Sequence, residues 1–304
     1  MSHWLLALAG ASAVASTGCS ERPAPKSDRA VAFHGRIDGD LDLSGGAVVG
    51  EFLVIASNET HALQVLKRTG DGDYTVIGDV PLAPKGTDLD IEAVAAEGNT
   101  VYATGSHGRL RKTGAVIALP TRDRVYRFPL DAEGKAGKID TASLRKALDS
   151  DAVLKAFVPM ASKENGIDIE GLAAKDGKLY FGFRGPVLRE DRCPILIGEF
   201  DKLETETEVR HVRLGGRGIR DLAAIRTGFL ILAGPVGGVG LDFRLYHWDG
   251  ASDAVELRTV PSGPKRRPEG LIVTKDNDGA TELLLLHDGV AGGDPTRSVV
   301  EWKK

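Results

Sequence analysis

A two-strand template recurs five times along this chain, and no other feature limits its fold as strongly. Residues 168–186 read DIEGLAAKDGKLYFGFRGP: a β-rich run opening on Asp168 and Glu170, a Lys-Asp-Gly-Lys turn, and a second run ending on Arg184. Residues 42–60 (DLSGGAVVGEFLVIASNET), 90–108 (DIEAVAAEGNTVYATGSHG), 219–237 (IRDLAAIRTGFLILAGPVG) and 267–289 (RPEGLIVTKDNDGATELLLLHDG) follow the same plan. Two short runs of strand formers around a polar or glycine turn are a hairpin signature.

Further runs complete each unit. A third strand is expected to end near Leu66, Phe128, Phe200, Trp248 and Trp302, and a fourth at Tyr74–Val80, Val209–Leu214 and Val255–Val260. Aligned on their third position, the hairpins place Ser44, Glu92, Glu170, Asp221 and Glu269 in one register, with steps of 48, 78, 51 and 48 residues. Three of these steps suit a four-stranded blade. The long one contains TASLRKALDSDAVLKAF (141–157), in which Leu144 and Leu148 stand one helical turn apart, so a helical insertion in the second blade is expected there. The last unit runs out of chain after its third strand, and Ala30–Arg36 supplies a spare strand to close it. Closing a ring in this way removes its open sheet edges. The expected fold is all-β, a five-bladed β-propeller over residues 31–304, with a six-bladed count as the competing arrangement.

The N-terminus reads separately. The apolar run from Trp4 to Val14 has the length of a secretory h-region and is too short to span a bilayer. Small residues then lead into Cys19, as in the lipobox of bacterial lipoproteins, although no Lys or Arg precedes the run. Residues 1–19 are therefore expected to be a signal peptide with Cys19 as lipidation site, and 20–30 a tether. The protein would lie outside the cytoplasm, on the periplasmic side of a bacterial membrane, touching it through the lipid alone. A net charge of −4 gives no basic footprint for nucleic acid. The only other cysteine, Cys193, leaves no disulfide framework and reads as a buried small hydrophobe in a chain expected to be monomeric.

DIEGLA (168–173), FRGPVLR (183–189), SHGRLRKTG (106–114), GIRDLA (218–223) and RPEGL (267–271) resemble an uncharacterised bacterial family, domain of unknown function 3616. That resemblance implies an extracytoplasmic, propeller-like protein and no assigned reaction. The Glu-Gly-Leu blade openings are also distantly similar to those of phytase-like and esterase-like propellers.

First strands of propeller blades line the central channel, so Glu92, Glu170, Asp221 and Glu269 are expected to converge near one end, beside Asp90 and Asp168. Fourteen residues further on in each unit, eighteen in the last, come Asn58, Ser106, Arg184, Pro235 and His287. Gathered carboxylates repel one another by about 4 kcal/mol per pair at 4 Å and an effective dielectric of 20. Either arginines (Arg184, Arg189, Arg217, Arg220, Arg267) mesh with them, or a calcium ion is held by Asp90, Glu92, Asp168, Glu170, Asp221 and Glu269. No Gly-x-Ser-x-Gly elbow and no zinc spacing occurs. The expected function is a ligand- or partner-binding module with a polar channel mouth. A calcium-assisted ester or phosphoester hydrolase and a purely structural acid–arginine ring are the alternatives.

Overall fold

The computed structural model describes residues 1, 29–70, 72–237 and 240–302. Five sheets, antiparallel but for one short parallel strand added at the edge of the first, form the ring of a five-bladed propeller. Blade one runs Leu43–Val49, Phe52–Ser57, Ala62–Arg68 and Tyr74–Pro81. Blade two has Ile91–Glu97, Thr100–Gly105, Val125–Pro129 and Asp140–Ala142. Blade three is Asp168–Lys175, Lys178–Gly185, Arg192–Gly198 and Thr207–Arg213, and blade four is Gly218–Ile225, Gly228–Gly234, Phe243–Trp248 and Val255–Val260. Blade five joins Arg267–Asp276, Ala280–Asp288 and Thr296–Glu301 to Arg29–Ala30 from the other end of the chain.

The core explains why the inner strands are apolar on both faces. Buried hydrophobic residues form five clusters, and each lies between two neighbouring blades, for example Cys193, Ile195, Ile219, Phe229 and Trp248 between blades three and four. Every sheet is thus covered on both sides, so Phe52–Ser57 and Gly228–Gly234 are buried at every residue. Such strands lose the alternation of a half-exposed sheet.

The closing strand differs from its expected extent. Among the described residues, Arg29–Ala30 pairs with blade five, antiparallel to Arg297 and Thr296, and the pairing does not extend to Arg36. The chain then crosses over, and Phe33–His34 pairs parallel with Tyr74 and Thr75 of blade one. The Val31 amide donates to the Pro295 carbonyl and the Tyr74 amide to the Ala32 carbonyl. The segment therefore clasps both sides of the closure. The expected signal peptide, Cys19 and nearly all of the tether lie outside the described residues.

Insertions account for the long step. Residues 141–142 finish the fourth strand of blade two, and helix comes only afterwards, at Arg145–Ser150 and as a single turn at Leu154–Ala156. Leu144, Leu148 and Leu154 are fully buried in the core between blades two and three. A second insertion, the hairpin Arg109–Lys112 with Ala115–Ala118, had no strand signal in the repeat register. Its base is His107, buried, with Nδ1 donating to the Gly105 carbonyl at 3.0 Å and Nε2 accepting from the Leu144 amide at 3.2 Å.

Those bonds require a neutral ring, and burial pushes His107 down to about 4 from an ordinary 6.5. Between those values the unfolded chain binds the proton and the folded one does not. Stability due to His107 is therefore present above pH 6.5 and lost as pH falls towards 4, at about 1.4 kcal/mol per unit. His107→Asn, which keeps a residue tolerant of the left-handed backbone here (φ 53°), should remove that slope from urea denaturation measured across the window. An unchanged slope would refute the assignment.

Candidate functional site

Each first strand carries a β-bulge at the same level, and the bulge decides which side chains meet in the channel. The pairing register jumps between Leu43 and Gly45, Ile91 and Ala93, Ile169 and Gly171, Ile219 and Asp221, and Pro268 and Gly270. The extra residues are Ser44, Glu92, Glu170, Arg220 and Glu269. A bulged residue has no ladder partner and its side chain is re-aimed.

The ring position of blade four is therefore Arg220, and the expected Asp221 belongs one place further along. Matching Leu222-Ala223-Ala224 to Leu172-Ala173-Ala174 would have revealed this, since it sets Arg220 against Glu170. In the other blades the position of Asp221 is Gly45, Ala93, Gly171 or Gly270, pressed against a neighbour: a Cβ on Gly171 would lie 3.2 Å from the Leu222 amide nitrogen. Asp221 uses that close approach. Its Oδ1 accepts from the Leu222 amide at 2.7 Å and its Oδ2 from the Leu271 amide of blade five at 2.6 Å. Burial raises its pKa, and these amides oppose the rise.

Arg220 bridges three blades. Nη1 lies 2.9 Å from Glu170 Oε2 of blade three, and Nη2 pairs with Glu269 Oε1 of blade five. Arg184, at the end of the second strand of blade three, pairs with Asp168 and sets Nη1 2.6 Å from Glu170 Oε1. Burial works against the charge of Arg184, but Glu170 and Asp168 outweigh it and hold its pKa above the usual value. Burial also raises Glu170 to about 8, with Arg184 and Arg220 pulling the other way.

Blade two uses a cation from outside the repeat. Arg122, on the turn Pro120–Arg122, sets Nη1 2.7 Å from Asp90 Oδ2 and Nη2 2.8 Å from Asp88 Oδ2. Ser106 Oγ also donates to Asp90. Burial still pushes Asp90 up to about 6. No periodic signal marked Arg122; only its distance in space from Asp90 matters, and that is set by the hairpin insertion before it.

Glu92 is left without a partner. It is 8% exposed, and among the described residues no cation is ion-paired with it and no donor is hydrogen-bonded to its carboxyl. Burial raises its pKa well above the ordinary value, and the charges of Asp90, Glu170, Asp168 and Glu269 raise it further. On its other side Ser44 Oγ donates to the Ile91 carbonyl at 2.6 Å, which ties blade one to blade two and leaves Glu92 unserved. In blade one, Asn58 Oδ1 is buried with no hydrogen-bond partner.

The remaining expected residues are elsewhere. His287 pairs in register with Pro268, and its buried Nδ1 lies 2.9 Å from the Asp294 carbonyl. The residue at the level of Arg184 in that blade is Asp288, paired with Arg267. Pro235 likewise falls one place beyond Gly234, the partner of Gly218. Arg217 serves Asp242, and Arg189 sits in the turn Arg189–Asp191. Cys193 is buried, donates to the Phe183 carbonyl, and is pushed by burial up to about 12, as suits an unreactive core thiol.

Calcium finds no assembled ligand set in Asp90, Glu92, Asp168, Glu170, Asp221 and Glu269. Among the described residues no group of three or more His, Cys, Asp or Glu side chains is placed to hold a metal ion. The reason is geometric: guanidinium groups stand between Asp168, Glu170 and Glu269, and Asp221 is turned onto backbone amides.

A cavity of about 180 Å³ is lined by residues two to four places further along the first strands, among them Ala47, Ala96, Ala174, Ala223 and Ala224. Among the described residues no helix is long and apolar enough to cross a membrane.

A family model described as protein of unknown function (DUF3616) matches residues 128–299. No curated protein matches the chain in sequence. Among solved structures, the glutaminyl cyclase of Myxococcus xanthus superposes with a TM-score of 0.51 at 11% identity, over 91% of this chain and 95% of that one. The PQQ-bound aldose sugar dehydrogenase of Streptomyces coelicolor gives 0.46 at 14% identity, over 91% and 100%. At such identities the likeness concerns the fold alone.

Proposed function

We propose that this chain, which belongs to the family of proteins of unknown function DUF3616, is a binding module that captures a ligand at the polar mouth of its channel. The observation that carries this reading is Glu92, an acid only 8% exposed that makes no ion pair or hydrogen bond among the described residues, while Arg122, Arg184 and Arg220 act on it only through space. Burying an unpaired ionisable group is costly, and such groups cluster at functional sites. Asp90, with φ 50°, adds a non-glycine residue in left-handed backbone beside it.

Glu92→Gln tests the reading. A neutral amide replaces a carboxyl whose charged form burial and the neighbouring acids disfavour. Glu92 has a folded pKa above its unfolded value, so its stabilising contribution is present below pH 4.5 and lost as pH rises. At pH 8 the variant should therefore be more stable by on the order of 1 kcal/mol, while losing the thermal shift produced by a ligand found in a small-molecule screen. Gained stability with lost binding is the signature of a functional acid. A variant less stable than the parent at pH 8, or one that still binds, would sink the proposal.

The acid–arginine mesh of Arg184 and Arg220 is favoured as a structural role in the same channel, because Arg220 links three blades. Export and a lipid anchor at Cys19 complete the proposal, supported by the apolar run and the small residues before that cysteine. Expressed in a bacterium, the wild type should fractionate with membranes and Cys19→Ser with soluble protein. Identical fractionation would refute lipidation.

A further inference from the structure

We infer that a cavity between blades five and one binds a phosphate group, as the free ion or a small monoester, through Arg68, Arg297 and the Tyr74 hydroxyl. None of the residues lining this cavity belongs to the acid–arginine ring, so it is a second site, independent of what the channel mouth captures. Three observations carry the inference.

The first is the way ring closure assembles the cavity. In blade one Arg68 and Tyr74 are direct cross-strand partners. In blade five Lys275 is paired with Glu282, and Arg297 with Leu284. Direct partners in antiparallel strands share a face, and Glu282 and Leu284, two residues apart, share one as well. Leu66, Tyr74 and Leu284 lie in the core between these two blades, so these are the faces that meet. The cavity opens where that core ends. Arg297 already reaches across the boundary: its Nη2 donates to the Gly72 carbonyl at 2.5 Å. A Cβ on Gly72 would overlap that nitrogen, so the approach requires glycine.

The second is charge. The cavity is lined by three cations, Arg68, Lys275 and Arg297, and by one acid, Glu282. Lys275 Nζ stands 3.7 Å from Glu282 Oε1, which balances that pair and leaves the two guanidiniums in surplus. Among the described residues Arg68 makes no side-chain hydrogen bond or ion pair, and Arg297 bonds only to the neutral Gly72 carbonyl. Two guanidinium forks suit the charge and the oxygens of a phosphate dianion. The third is Tyr74. It is only 4% exposed, with its ring set edge-on to Phe33, yet its hydroxyl has no hydrogen-bond partner among the described residues. A buried tyrosine usually has one. Burial raises its pKa while Arg68 and Arg297 pull the other way, which sets both guanidiniums near the hydroxyl. A phosphate placed among them would accept from all three. The cavity volume of about 220 Å³ is several times the roughly 30 Å³ of one water, which leaves room for a small substituent on the phosphate.

The experiment is calorimetric titration of the purified chain, in phosphate-free buffer, with inorganic phosphate, glycerol phosphate, acetate and chloride. Both phosphates should bind, and acetate and chloride at least about tenfold more weakly. Arg68→Gln is the cleanest variant, because that guanidinium has no partner among the described residues to lose. It should cut phosphate affinity at least about tenfold and leave the melting temperature in phosphate-free buffer unchanged. Tyr74→Phe should weaken phosphate binding roughly twofold to tenfold, the worth of one hydrogen bond. Hydrogen exchange should slow on adding phosphate in the strands Tyr74–Pro81 and Thr296–Glu301 more than in blade three. Binding of inorganic phosphate without glycerol phosphate would assign the site to the free ion, and binding of both would extend it to monoesters. If acetate or chloride binds as tightly as phosphate, the cavity is a patch of positive charge and the inference falls. It falls too if neither phosphate binds, if Arg68→Gln binds phosphate as the parent does, or if protection appears elsewhere in the ring.

Discussion

Arg220→Ala should destabilise the protein by about 3–5 kcal/mol, the usual cost of removing one member of a buried ion pair. The guanidinium is buried between Glu170 and Glu269, so its loss leaves Glu269 without an ion pair and Glu170 with Arg184 alone. Glu269 must then take up a proton or sit charged and unpaired beside Glu170. For a chain of this size the melting temperature should drop on the order of 10 °C. Arg220→Lys should recover only part of this, because one ammonium cannot span two carboxylates as a planar fork does. Combining Arg220→Met with Glu170→Gln and Glu269→Gln should restore most of the stability, because replacing a whole buried network by neutral groups of similar volume is often harmless. A loss below about 1 kcal/mol for Arg220→Ala, read from urea denaturation, would show that the mesh does not fasten the blades.

Asp221→Ala should cost about 2–5 kcal/mol by a different route. Its two oxygens receive the Leu222 and Leu271 amides, and both atoms lie in a part of the ring that water does not reach. Leaving a buried donor unmade costs about 1–3 kcal/mol for each group. Asp221→Asn keeps one carbonyl acceptor and should lose about half as much. Hydrogen exchange gives the sharper reading, because the Leu222 and Leu271 amides should lose protection in the alanine variant more than the other amides of their strands. Equal protection in variant and parent would refute the role assigned to this carboxylate.

Both predictions concern neighbouring residues whose roles the repeat alignment exchanged. Aligning on the acid put Asp221 in the ring and left Arg220 as one of several counter-charges. The bulge between Ile219 and Asp221 reverses this. A bulge adds one residue to one strand, so residues on its two sides differ by one place relative to their partners, and a linear repeat cannot show where the extra residue falls. His287 failed for a related reason. Blade five has a longer hairpin with a further irregularity between Val273 and Lys275, and Asp288 takes the level expected of His287.

Blade number, the hairpin in each blade, the buried Leu144 and Leu148, and the inert Cys193 could all be read directly from the chain. These depend on local pattern: strand formers in runs of set length, turn residues between them, and apolar residues one helical turn apart. The ring acids Glu92, Glu170 and Glu269 were legible too, because they stand at one place in the repeat. What only the tertiary structure decided is which of them is neutralised. Arg220 reaches across two blade boundaries, and Arg122 arrives from a turn that belongs to no repeat. Ion pairing depends on distance in space, and the ring closure that sets those distances brings together residues far apart in sequence. Glu92 is exceptional because no arginine of the described residues pairs with it once the ring has closed, and that property is not written at any single position of the chain.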